Sequence, residues 1–120
     1  MAVVEDHRLQ RKRTEELVNA QAGLRVVFGC ESALELFTRL ERLDKREYPH
    51  LVILDLVVDR GPSVEPEQVR DLVDRGVRVL VLSALASPTQ VRAVIRAGAG
   101  GVLGNRDSEA DIVAAIWAVL

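Results

Sequence analysis

Leu51-Val-Ile-Leu-Asp-Leu56 is apolar except for one carboxylate, Asp55, and Val77 to Leu82 forms a second, predominantly apolar run. A strand with one face in water alternates apolar and polar residues, so runs without alternation require cover on both faces. Pro49-His50 and Asp59-Arg60-Gly61-Pro62 bound the first run and keep it to strand length. A charge inside such a strand is costly, which puts Asp55 where the strand runs out at its carboxyl end. In open parallel α/β sheets that edge is where ligands bind.

The rest of the chain supplies the cover. Val3-Val4 reads as a strand ended by Glu5-Asp6-His7. From His7 to about Ala20 helix formers carry Leu9, Leu17 and Val18 on a loose helical period, with Gly23 placed to stop them. Arg8, Arg11, Lys12 and Arg13 there read as a solvated face offset by Glu15 and Glu16. Leu24 to Phe28 predicts a second strand, and Glu31 to Leu43 a helix with Leu34, Phe37 and Leu40 at three-residue steps. After the central strand, Pro66 opens a helix carrying Val69, Leu72 and Val73 that stops at Gly76. Ser87-Pro88-Thr89-Gln90 is a capping box for a helix running to Gly98. Gly100 to Leu103 is a short strand, and Ser108-Glu109-Ala110-Asp111 opens a last helix with Ile112, Val113, Ile116 and Leu120 on one face.

Five strand-helix alternations imply parallel pairing through right-handed crossovers, hence a three-layer α/β sandwich. With 120 residues, no internal repeat and no linker-like tract, the expectation is a single domain over 1–120. No leader sequence is evident, and the single cysteine, Cys30, excludes an intramolecular disulfide and reads as a small buried hydrophobe. A cytoplasmic location is therefore expected. No apolar stretch reaches the roughly 18 residues of a membrane span. A formal net charge of -2 argues against this chain itself binding nucleic acid.

Four strand ends then converge on one edge: Glu5-Asp6, Asp55, Ser83-Ala84 and Asn105. Three carboxylates in one cleft repel each other, and a hard divalent cation with oxygen ligands, Mg²⁺ by default, relieves them. The Ser83 hydroxyl and a neighbouring N–H could hold an oxyanion beside that cation, the arrangement of phosphoryl transfer, with Asp55 as nucleophile. Other chemistries fit less well. The glycines at 98, 100, 101 and 104 miss the dinucleotide spacing, and neither Lys12 nor Lys45 follows a glycine as a phosphate loop needs. Glu5 and Asp6 would repel a flavin phosphate. No nucleophile-and-base pair of a hydrolase is present, and His7 and His50 lack zinc-site spacing, which reads them as surface residues.

The ordered set Glu5-Asp6, Asp55, Ser83-Ala84 and Gly98-Ala99-Gly100-Gly101 resembles the receiver domain of two-component response regulators over essentially the whole chain. His7 after the acidic pair and the glycine-alanine turn before the last strand resemble the branch with a LuxR-type helix-turn-helix output. The resemblance implies a flavodoxin-like, doubly wound five-stranded parallel sheet of order 2-1-3-4-5. It also implies phosphoryl transfer from a histidine kinase to Asp55, in a signalling switch and not a turnover enzyme. Mg²⁺ would be held by Asp6 and Asp55 directly, by Glu5 through water, and by the backbone carbonyl of Val57. Ser83 would bond a phosphoryl oxygen, and Ala84 would leave room for the donor. Homodimerisation through the last helices would follow, with DNA bound only by an output domain outside this chain.

Three positions depart from that pattern. Asn105 stands where the family has lysine, Val102 where it has an inward-turning aromatic, and Asp59 where it has proline. An asparagine amide is a neutral donor, about half as strong as a charge-assisted one. Two readings follow: a phosphorylation-controlled switch with altered coupling, or a pseudo-receiver that serves as a phosphorylation-independent dimerisation or docking module.

Overall fold

The computed structural model describes residues 1–56, 64–82, 87–104 and 107–120. Both apolar runs form central strands, β3 (Leu51–Asp55) and β4 (Arg78–Leu82), flanked by β1 (Ala2–Val4), β2 (Phe28–Cys30) and β5 (Gly101–Leu103). All pairings are parallel, in the order β2-β1-β3-β4-β5. The helices are α1 (Arg8–Asn19), α2 (Ala33–Glu41), α3 (Pro66–Asp74), α4 (Pro88–Ala97) and α5 (Glu109–Val119), with a 3₁₀ turn at Lys45–Glu47. This is the flavodoxin-like sandwich the sequence implies.

Successive strand residues point to opposite faces and divide the core in two. Ala2, Val4, Val52, Leu54, Val79 and Val81 face α2, α3 and α4, where Leu36, Leu40, Val69, Leu72 and Val94 complete a buried layer. Met1, Val3, Leu51, Ile53 and Leu80 face α1 and α5, which contribute Val18 and Ile116. Every strand of the middle three therefore serves both layers, which is why β3 and β4 show no alternation.

Local chemistry sets the helix ends. Ser87 Oγ accepts from the Gln90 N–H at 3.2 Å while Gln90 Oε1 accepts from the Ser87 N–H at 2.8 Å, and Pro88 takes the first helical position. Ser108 and Asp111 make the same reciprocal pair at the start of α5, at 3.2 and 2.8 Å. Gly98 ends α4 at φ 113°, a left-handed conformation that favours glycine. Gly100 is needed for space, since a Cβ there would stand 2.8 Å from Val119 at the end of α5.

Four local expectations need correction. The second strand is not Leu24 to Phe28 but Phe28–Cys30, paired residue for residue with Ala2 to Val4. Leu24 to Val27 lies just ahead of it, tied to the chain start by the Met1 amine on Arg25 O and the Val27 N–H on Met1 O. Register with β1, not β propensity, sets the bounds. Cys30 consequently lies inside the strand and not after it, and is buried opposite Val4. On α2, Leu34 points outward, 75% exposed, and Leu36 takes the inward place with Leu40. The Ser32 cap on the Glu35 N–H starts the helix at Ala33, and that phase turns the i, i+4 pair Leu36 and Leu40 to the sheet. Leu9 is likewise exposed, leaving Val18 as the buried residue of α1.

Candidate functional site

The register of β1 on β3 pairs Val4 with Leu54, so the next residues, Glu5 and Asp55, come level at the carboxyl edge. Parity puts both on the α1 and α5 side, in phase with Val3 and Ile53. The frame is hydrogen-bonded on three sides. The Glu5 N–H donates to Cys30 O at 2.9 Å, the Leu56 N–H donates to Leu82 O at 3.0 Å, and the Arg11 guanidinium donates to Glu5 O at 2.8 Å. Arg11 thereby leaves the solvated face expected of it and ties α1 to the end of β1.

Glu5 is the buried charged residue among those described, 7% exposed, and its Oε2 is buried without a hydrogen-bond donor. Burial, then contact with the Asp55 carboxyl and the charges of Asp55 and Asp6, push the Glu5 carboxyl up to about 8. Such a displacement is what acceptor-only oxygens produce when they face one another with no cation between them. The residues fit a divalent metal on that ground: an orphaned, buried carboxylate oxygen beside the carboxylates of Asp6 and Asp55 offers hard donors.

Of the expected ligands, Glu5, Asp6 and Asp55 come together, Asp55 meeting the group through Glu5. Val57, Asp59, Ser83, Ala84 and Asn105 lie outside the described residues. Val102 is in mid β5, half-buried against the layer formed with α2, α3 and α4 and opposite Val81. A valine there has no ring to move between buried and exposed positions.

His7 departs from its expected role as an uninvolved surface residue. It is half-exposed, but its Nδ1 lies 3.3 Å from Asp6 Oδ1 and 3.8 Å from Glu5 Oε1. Donor atoms of Glu5, Asp6 and His7 all fall within 4.8 Å of one another. His7 is the N-cap residue of α1 yet makes no side-chain cap, which leaves its ring turned to the acids. Its position directly after an acidic pair at a strand end was the signal available in the sequence.

No family model matches the chain, and no curated protein matches it. Solved structures do. A two-component response regulator of the LuxR family from Aurantimonas sp. SI85-9A1 superposes with TM-score 0.81 at 28% identity, over 98% of this chain and 81% of that one. A DNA-binding response regulator of the LuxR family from Staphylococcus aureus gives 0.80 at 15% identity, over 98% and 97%. RcsB from Salmonella enterica serovar Typhimurium gives 0.81 at 19% identity, over 99% of this chain but 66% of that protein. At such identities the last two speak for the fold alone. The chain therefore has the fold of a response-regulator receiver domain, and LuxR-family regulators are among the proteins it is similar to over nearly its full length.

Proposed function

We propose that the chain is a phosphorylation-controlled receiver in two-component signalling, acting in the cytoplasm on a transcriptional output. The observation that carries this reading is the buried Glu5 carboxylate with its donorless Oε2, set against Asp55 at the carboxyl edge of a receiver fold. An Asp55 carboxylate oxygen attacks the phosphorus of a phosphohistidine on the kinase. The N–P bond breaks, its electron pair stays on the imidazole nitrogen, and that nitrogen takes up a proton. Asp6 and Asp55, the Val57 carbonyl and, through water, Glu5 would hold Mg²⁺. When bound, the ion supplies charge neutralisation for the carboxylates and the phosphoryl oxygens. Ser83 would donate to a phosphoryl oxygen, Ala84 would leave the donor room, and Asn105 would supply a neutral donor where a cation is usual.

Likeness at 28% identity to a two-component response regulator of the LuxR family supports this reading, and a transcriptional output would need a DNA-binding domain outside this chain. Homodimerisation would use the last helices. No helix among the described residues is long and apolar enough to cross a membrane. A second reading, the phosphorylation-independent docking module, draws support from α5: it carries no charged residue after Asp111, and Trp117 on it is 50% exposed. Intact mass after incubation with Mg²⁺ and acetyl phosphate decides between them, with chromatographic size recorded in parallel. One phosphoryl adduct, absent from Asp55→Asn, is the expected result. No adduct, together with a dimer indifferent to phosphodonor and Mg²⁺, would leave the docking module.

A further inference from the structure

We infer that His7 supplies a nitrogen ligand to the acidic site, so that this site prefers a divalent first-row transition cation, of the Mn²⁺ to Zn²⁺ class, over Mg²⁺. The inference rests on the metal-dependent reading above and specifies the cation. Ligand atoms sharing one such ion at bond lengths near 2.1 Å lie about 3.0–3.5 Å apart in octahedral or tetrahedral geometry. The His7 Nδ1 to Asp6 Oδ1 separation of 3.3 Å falls in that range, and the 3.8 Å to Glu5 Oε1 needs only a small side-chain adjustment.

Two features make this more than a cluster of charges. Glu5 is more than nine-tenths buried and its Oε2 has no donor, so a cation is the missing partner on the inner side. On the outer side His7 is half-exposed, its Nδ1 faces Asp6 and Glu5, and its ring makes no helix-capping bond. Imidazole suits the later first-row ions, whereas Mg²⁺ takes oxygen almost exclusively and gives up water reluctantly. A site of two carboxylates and one imidazole, with Asp55 adjoining, therefore discriminates by donor type.

The test is calorimetric titration of the 120-residue chain and of His7→Gln with Mg²⁺, Mn²⁺ and Co²⁺ separately, at one fixed pH, with thermal melting to verify folding of the variant. The expected result is a loss on the order of tenfold or more in Mn²⁺ and Co²⁺ affinity with Mg²⁺ affinity changed less than about twofold. A hyperfine-shifted imidazole proton in the Co²⁺-loaded protein, missing in His7→Gln, would support direct coordination. Unchanged affinities for all three ions in the variant would overturn the inference and leave the Mg²⁺ reading standing. An equal loss for all three would also overturn it, because His7 would then act by charge and not as a ligand. Failure of the unsubstituted chain to bind any of the ions would overturn both.

Discussion

The two faces of the sheet are built unequally. The face covered by α2, α3 and α4 is closed by buried side chains from all three helices, Leu36, Leu40, Val69, Leu72 and Val94. The opposite face has two helices, each contributing one fully buried residue, Val18 and Ile116. Between those two helices and the sheet remains a cavity of about 230 Å³ lined by Val3, Leu17, Ile53, Leu82 and Ile112 and reaching Glu5. The same side holds Glu5 and Asp55. The contrast teaches that more buried helix side chains close one face, while the acidic residues sit on the face with fewer, where small rearrangements cost less.

Core truncations should expose the contrast most strongly. Leu40→Ala on the closed face is expected to lose about 3–4 kcal/mol in chemical denaturation, whereas Ile116→Ala should lose about 2, because fewer buried helix side chains surround it on the α1 and α5 face and the site can relax more. Equal losses would break the comparison.

The acidic edge should announce itself through pH. Glu5 holds its proton up to about 8 in the folded protein but releases it near 4.5 when unfolded. Between those values the folded state binds more protons than the unfolded one. Stability of the metal-free protein must therefore fall as pH rises through that window and level off above it. Each unit of displacement corresponds to ~1.4 kcal/mol, so even half the displacement amounts to a decline of about 2 kcal/mol. Melting curves against pH should show the slope, Glu5→Gln should flatten it, and saturating divalent cation should oppose it in the unsubstituted protein but much less in Asp6→Asn.

A smaller effect tests the anchoring of α5 on the face with fewer buried helix side chains. Ser108→Ala removes the oxygen that accepts from the Asp111 N–H and should cost about 1 kcal/mol, read as a lower melting temperature. The smallest belongs to the exterior of the closed face: Leu34→Gln should stay within about 0.5 kcal/mol, since the side chain is 75% exposed. A larger loss would mean that α2 is covered by something in solution.

The sequence alone determined the features that depend on local chemistry and on strict periodicity. Predominantly apolar runs at Leu51 to Leu56 and Val77 to Leu82 require cover on both faces, and serine caps set where α4 and α5 begin, with proline at the first helical position of α4. It also placed Glu5, Asp6 and Asp55 at strand ends, because a carboxylate closing an apolar strand has nowhere else to go. Tertiary structure decided what depends on register and helix phase. Only the ladder with β1 shows that β2 runs from Phe28 to Cys30, since Leu24 to Phe28 has the better β propensity. Only packing selects Leu36 over Leu34, because leucines two positions apart on one helix face opposite ways and composition does not say which faces the sheet. The pairing of Val4 with Leu54 brings Glu5 against Asp55, and the turn into α1 swings His7 back over Glu5 and Asp6. The approach of Glu5 to Asp55 joins segments some 50 residues apart in the chain, and spacing along a sequence carries no information about it until the sheet is formed.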